Sequence, residues 1–270
     1  MGGFRKYKFL LLRRTTQIGT MLLFIGSSMF GWQVLKGNLS TSKIFDAVTL
    51  TDPYAILQII TAGRIVAPEA LIGGLIVMLF FGLLAGRAFC SWICPLNIVT
   101  DAANWLRTKT GIDARAKGLE MNRRVRYWAI GVSLAVSFFL GIAAFEWISP
   151  ISMLHRGIIF GMGTGWVIVL SVFLFDLFMV KHGFCGHVCP LGGFYSLITN
   201  FSLIRVNYSL ERCTLCMKCL DICPERQVLP MIGKLSRPVT SGECTNCARC
   251  IEACDDRALK FGMRFVPGKH

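Results

Sequence analysis

The sequence predicts an α-helical membrane protein: four transmembrane helices arranged as two repeated hairpins, followed by a small α+β domain at the C-terminus. Three observations predict it. The 270-residue chain is 54% hydrophobic and only 16% charged, with a mean hydropathy of +0.57, whereas soluble domains run at about 45–50% apolar and about 25% charged. Four apolar runs are long enough to cross a bilayer. Eight of the twelve cysteines fall between Cys213 and Cys254.

A helix rises about 1.5 Å per residue, so crossing about 30 Å of hydrocarbon takes about 20 mostly apolar residues. The runs at 16–35, 70–89, 127–148 and 163–180 meet that requirement. Residues 1–200 are then the membrane domain and 205–264 the C-terminal domain. The first run is the weakest, with Gln17 and Gln33 near its ends and Ser27-Ser28 inside. It is too long for a signal peptide, and no A-x-A-like cleavage site follows it. Arg13-Arg14 lacks the rest of a twin-arginine signal, so the segment reads as a basic anchor.

Loop charges orient the spans. The N-terminal segment carries Arg5, Lys6, Lys8, Arg13 and Arg14; the loop between spans two and three carries Arg107, Lys109, Arg115, Lys117, Arg123, Arg124 and Arg126. The loop between spans one and two balances Lys36, Lys43 and Arg64 against Asp46, Asp52 and Glu69. Both termini and the second loop are therefore expected in the cytoplasm, with Glu146, His155 and Arg156 near the outer face. The same rule accounts for the net charge of +14, so no nucleic-acid partner is expected.

Residues 213–224 read CTLCMKCLDICP and residues 244–254 read CTNCARCIEAC. Each is C-x-x-C-x-x-C-x-x-x-C, the bacterial pattern for two [4Fe-4S] clusters, in which the fourth cysteine ligates the other cluster. Cross-ligation puts Cys213, Cys216, Cys219 and Cys254 on one cluster, and Cys244, Cys247, Cys250 and Cys223 on the other. Disulfides are disfavoured in a reducing cytoplasm. Zinc ribbons pair C-x-x-C units without a third cysteine at the same step. Asp255 stands where a proline might follow Cys254, a departure that removes no ligand. The C-terminal domain is thus expected to be a two-cluster, bacterial ferredoxin-like α+β fold. Lys218 and Arg249 read as solvated surface charges.

The two hairpins share a motif at their inner ends. FCSWICPL (89–96) and FCGHVCPL (184–191) agree at five of eight positions, 95 residues apart (185 minus 90). This reads as a parallel repeat about an axis along the membrane normal. Cys90, Cys94, Cys185 and Cys189 then emerge at equivalent depth. They form either a shared four-thiolate site for a further cluster or soft metal, or two redox dithiols; plain packing would not repeat the spacing. Positions i and i+4 share a helix face, and Pro at i+5 suits the first turn of a following helix. His182 and His187 flank the second pair as candidate outer donors to it.

This combination of four spans, two C-x-x-x-C-P motifs and a C-terminal two-cluster unit resembles the NapH family, the ferredoxin-type membrane component of the periplasmic nitrate reductase system. NosR-type proteins and the polyferredoxins of cytochrome oxidase assembly share similar cores but are usually larger. The resemblance covers essentially the whole chain. It implies a quinol dehydrogenase of the bacterial inner membrane. Electrons would pass from the membrane quinone pool, with a periplasmic iron–sulfur partner of the NapG type and a membrane multihaem cytochrome, towards nitrate reductase. The chain carries no C-x-x-C-H motif, so any haem belongs to a partner. Two other functions compatible with the motifs are a redox maturation factor for a metalloenzyme and a redox sensor.

Quinol oxidation releases two electrons and two protons, so a proton acceptor is needed near the headgroup. Ionisable groups at membrane depth are costly and read as functional. The candidates are Glu146 and His155 at the outer face and Asp176 within span four. Trp147 and Trp166 read as interfacial belt residues. The sequence places the cluster domain in the cytoplasm while the implied acceptor is periplasmic, and shows no return path for the electron.

Overall fold

The computed structural model describes residues 7–112, 121–161, 163 and 165–264. Arg5, Lys6, Arg115 and Lys117 of the predicted basic segments lie outside these. The described chain begins with α1 (Lys8–Phe30). Strands β1 (Leu35–Gly37), β2 (Thr41–Ile44) and β3 (Val48–Thr51) form an antiparallel sheet in that order. Helices α2 (Pro53–Thr61) and α3 (Pro68–Leu79) follow. A π-helical stretch (Phe80–Ala85) and a 3-10 turn (Gly86–Ala88) lead into α4 (Phe89–Trp92). Then come α5 (Leu96–Lys109), α6 (Val125–Leu140), α7 (Ala144–Ile148), α8 (Pro150–Phe160) and α9 (Gly165–Phe178). A second π-helical stretch (Phe184–Val188) precedes α10 (Pro190–Ile198). The C-terminal part holds β4 (Ile204–Tyr208), α11 (Lys218–Ile222), α12 (Arg249–Glu252) and β5 (Leu259–Met263).

The chain is mostly helical, and its helices fall on the four predicted apolar runs with shifted ends. Among the described residues one helical run, Pro68–Trp92, is long and apolar enough to cross a membrane, with 25 residues and a mean hydropathy of 2.1. Val125–Leu140 and Gly165–Phe178 are shorter apolar helices. The run expected at 127–148 breaks at Gly141, whose φ of +64° ends α6 in a left-handed cap, a conformation that glycine adopts at no steric cost. Helix α1 starts before the predicted run and takes in Lys8, Arg13 and Arg14.

Two compact units divide the chain differently from the break drawn between residues 200 and 205. One comprises Met1–Thr16, Leu79–Ile93 and Tyr195–His270; the other comprises Gln17–Met78 and Cys94–Phe194.

In the first unit, β4 pairs antiparallel with β5 from Ile204↔Met263 to Tyr208↔Leu259. Val206, Tyr208 and Leu259 turn into a core with Leu229, Met231 and Val239. Glu252 of α12 accepts the N–H groups of Phe9 and Leu10, at 2.6 and 2.9 Å. A carboxylate there satisfies two donors that the first turn of a helix cannot satisfy itself.

In the second unit, α2 occupies what the sequence suggested was an outer loop. Asp52 caps it, accepting the Tyr54 N–H at 3.2 Å, and Pro53 sits in its first turn, both favourable at a helix start. Its buried face, with Tyr54, Ile56 and Gln58, packs on α6. The Gln58 side-chain carbonyl accepts the Phe145 N–H at 2.9 Å. Helix α9 packs against α5 and α8. Arg107 is 2% exposed rather than solvated, and donates to the Asp176 and Leu177 carbonyls at 3.3 Å each.

Candidate iron–sulfur and thiol site

Two cysteine loops in the first unit wind alike. Leu215 and Met217 after Cys213 have φ of 59° and 60°, and Asn246 and Ala248 after Cys244 have φ of 49° and 61°. Left-handed residues at alternate positions turn successive N–H groups to one side, the concave nest that suits an anionic centre. The third cysteine of each loop, Cys219 or Cys250, then enters a short helix and is buried.

The fourth cysteine of each run lies near the third cysteine of the other. Burial first, then the nearby Cys254 and Cys213, raise the pKa of the Cys219 thiol. Burial first, then Cys247, Cys244, Cys223 and Cys219, push Cys250 well up. Cys223, Cys244, Cys247 and Cys250 line one small pocket.

The donor set fits two [4Fe-4S] clusters. Desolvation pushes the Cys244 thiol up to about 11, opposed by the Asn246 backbone N–H and then by Arg205 and Arg87. Leu215 N–H points at Cys213 Sγ (3.4 Å) and Ala258 N–H at Cys254 Sγ (3.3 Å), and hydrogen bonds to sulfur are a lever on such centres. Among the described residues no three His, Cys, Asp or Glu side chains converge to hold a single ion.

The first part of the first C-x-x-x-C-P motif, Cys90 to Trp92, is joined to this centre within the same unit. Ser91 Oγ donates to the Thr245 carbonyl (2.7 Å) and Trp92 Nε1 to the Asn246 carbonyl (3.0 Å), both between Cys244 and Cys247. Asn246 Nδ2 returns bonds to the Ala85 and Ile204 carbonyls, 2.9 Å each. Arg87 and Glu225 form an ion pair at 2.9 Å, with side chains only 1% and 4% exposed. Gly86 between these contacts has φ +64°; a Cβ there would stand 2.9 Å from Asn246 Nδ2 and 3.0 Å from Ser202 Oγ.

The pairs do not sit one turn apart on a single helix face, as the i, i+4 spacing suggested. Cys90 lies in α4, but Cys94 follows that helix's end at Ile93. Cys185 lies in the second π-helical stretch, and Cys189 follows it with ψ 111°. The proline after each pair explains this, because it disfavours helical backbone at the residue before it. Pro95 and Pro190 then open α5 and α10.

In the second unit, Cys185 Sγ lies 3.9 Å from Thr100 Oγ1 of α5, the helix that follows the first motif. Gly192 N–H points at Cys189 Sγ (3.4 Å). His182 is tied to Asn104, whose Oδ1 accepts its N–H at 3.0 Å. His187 is buried; burial and then Arg123 and Arg126 lower its pKa.

The three proton-transfer candidates stand apart, with no hydrogen bond or ion pair joining any two among the described residues. Glu146 accepts from Ser40 and from Ser152 Oγ, the latter at 2.6 Å. His155 is 1% exposed and edge-on to Phe24; burial and Arg156 lower its pKa to about 4. Asp176 is fully buried and accepts the Phe184 N–H at 2.9 Å, which anchors the turn carrying Cys185. Sequence reasoning passed over Tyr54. It is fully buried and bonded to the Ser133 hydroxyl, and its position after a capped Asp-Pro was the available signal.

Comparison with known proteins agrees with this chemistry. A family model described as a 4Fe-4S binding domain matches twice, at 66–113 and 160–208, each match holding one C-x-x-x-C-P pair. A 4Fe-4S dicluster domain matches 205–255. The methylamine utilization ferredoxin-type protein MauN of Paracoccus denitrificans is 43% identical over 98% of this chain and 94% of its own length. The ferredoxin-type protein NapH is 40% identical in Escherichia coli K12, over 84% of this chain and 79% of its own, and 40% in Haemophilus influenzae, over 96% and 91%. No solved structure matches.

Proposed function

The chain belongs to the family of ferredoxin-type proteins that includes NapH and MauN, and on that premise we propose that it is a membrane subunit that oxidises quinol and hands the electrons on through iron–sulfur clusters. One observation carries the reading: the first C-x-x-x-C-P motif is hydrogen-bonded directly to the loop between Cys244 and Cys247. Cys90, at the end of an apolar run, and a ferredoxin cluster loop are thus one piece of structure. The [4Fe-4S] clusters, when bound, supply one-electron acceptors. The chain's own residues do the rest: the two nests orient N–H groups towards sulfur, and Arg87 with Glu225 fixes the Gly86–Trp92 turn against them.

We place four crossings in the inner membrane, with both termini cytoplasmic. The 25-residue apolar run supports this, as do Phe138, Phe139 and Leu140, which are 66%, 82% and 62% exposed at the end of α6; water does not favour such a cluster. Cys90, Cys94, Cys185 and Cys189 are assigned to a further cluster, because a 4Fe-4S binding model matches around each pair. Electrons pass to a periplasmic iron–sulfur partner of the NapG type, with a multihaem cytochrome, towards nitrate reductase. The similarity to MauN favours a second destination, the methylamine utilization system. Anaerobic purification tests the reading. About twelve irons are expected, against about eight for two cubanes alone, and added quinol should reduce the clusters as followed by EPR. Clusters that stay oxidised with every quinol tried would sink it. Loss of growth on nitrate or on methylamine in a deletion strain decides the destination.

A further inference from the structure

Helices α6 and α9 of the second unit border an apolar pocket of about 590 Å³. Val136, Phe145 and Phe175 form walls, and Phe184 and Val188, the neighbours of Cys185 and Cys189, close one side. None of the described lining residues is charged, and only Ser133 and Ser171 carry hydroxyls. Ser171 Oγ is turned onto its own helix, donating to the Val167 carbonyl at 2.8 Å. Ser133 Oγ likewise donates to a carbonyl of its own helix, that of Ile130 at 2.9 Å, and in addition accepts from the Tyr54 hydroxyl. Tyr54 packs on Phe145 and Phe194, with ring centroids 5.9 and 5.4 Å away. Its pKa is raised to about 12, first by burial, with the Cys189 sulfur a lesser cause that places the two groups near each other.

Small-molecule sites are typically about 300–1,000 Å³, mostly apolar, with a few placed polar groups. This pocket has the apolar bulk and one polar point, Ser133 backed by Tyr54, beside the second thiol motif. We propose that it binds an isoprenoid quinone in its quinol form, with a ring O–H donating to Ser133 Oγ, whose own proton is held by the Ile130 carbonyl, and the tail along the apolar walls. A flat ring with two oxygens and an apolar tail matches aromatic walls, a single hydroxyl and no charge. A phospholipid would need a partner for its charged headgroup, which the lining lacks. The proposal rests on the quinol-oxidising reading and locates where that reading takes its substrate.

The test uses the anaerobically purified holoprotein in nanodiscs, photolabelled with an azido-ubiquinone and assayed for cluster reduction by decylubiquinol. Label is expected on peptides within 125–148 and 165–190. Val136→Trp or Ala129→Trp, entering from separate positions on α6, should weaken labelling and quinol reduction about tenfold, the effect of overfilling an apolar site by about 1.4 kcal/mol. Ser133→Ala should weaken binding about fivefold, the loss of one hydrogen bond. Dithionite reduction and iron content must stay at wild-type levels, which separates a filled pocket from a misfolded chain. Label elsewhere, or tryptophan variants that are reduced by quinol at the wild-type rate, overturns the site and leaves quinol oxidation standing. A wild-type protein that neither takes label nor is reduced by quinol overturns both. A phospholipid retained in the pocket and undisplaced by the quinone also overturns the site.

Discussion

Cys223 and Cys254 each end one cysteine run, yet each lies near the third cysteine of the other run, as the spacing's cross-ligation pattern expects. Cys223→Ser therefore removes a ligand from the Cys244, Cys247 and Cys250 set while leaving its own loop intact. About half of the iron bound by the ferredoxin unit should be lost, measured as iron and sulfide per chain. His155 makes a pH prediction. Its folded pKa of about 4 lies below its ordinary 6.5, so between those values the unfolded chain binds a proton that the folded chain does not. Its contribution is intact above pH 6.5 and is lost as pH falls towards 4, by at most about 3 kcal/mol. His155→Phe should flatten the fall in melting temperature from pH 7 to pH 5 in detergent. An unchanged slope would remove His155 as its source.

The turn from Gly86 to Trp92 illustrates what an element owes to its surroundings. Its sequence reads as the end of an apolar helix, and the run is indeed helical to Trp92. The helix changes to π and then 3-10 geometry on the way, because Ala85, Arg87, Ser91 and Trp92 bond to partners more than a hundred residues away. Glu225→Ala leaves the Arg87 guanidinium buried beside only the Glu243 carbonyl and its remaining local partners. Breaking a buried pair this way costs about 3–5 kcal/mol, which should appear as a lower thermal midpoint and early loss of cluster absorbance. Gly86→Ala should be destabilising as well, by about 1–3 kcal/mol, since its φ is positive and a Cβ would meet Asn246 and Ser202. The same midpoint measures it. Helix α2 escaped the sequence reading because nine residues give too few turns for a hydrophobic period to stand out, and charged residues flank it in the chain.

For the whole molecule, reporter fusions test the proposed topology. A C-terminal GFP should fluoresce and a C-terminal alkaline phosphatase should be inactive, while phosphatase inserted near residue 161 should be active. The reverse pattern would invert the positive-inside reading. Composition, the four apolar runs and the cysteine spacing determined by themselves that the chain is mostly helical, belongs with ferredoxin-type proteins and binds [4Fe-4S] clusters. Hydrophobic length and ligand spacing are local quantities and survive in one dimension. Tertiary structure alone decided that residues 79–93 join the ferredoxin fold, that Arg87 and Arg107 are buried rather than solvated, and that α2 brings Tyr54 to Ser133 beside an apolar pocket. Each of these depends on which distant partner a side chain meets, and pairwise contacts between positions 69 to 138 residues apart leave no period or spacing in the sequence.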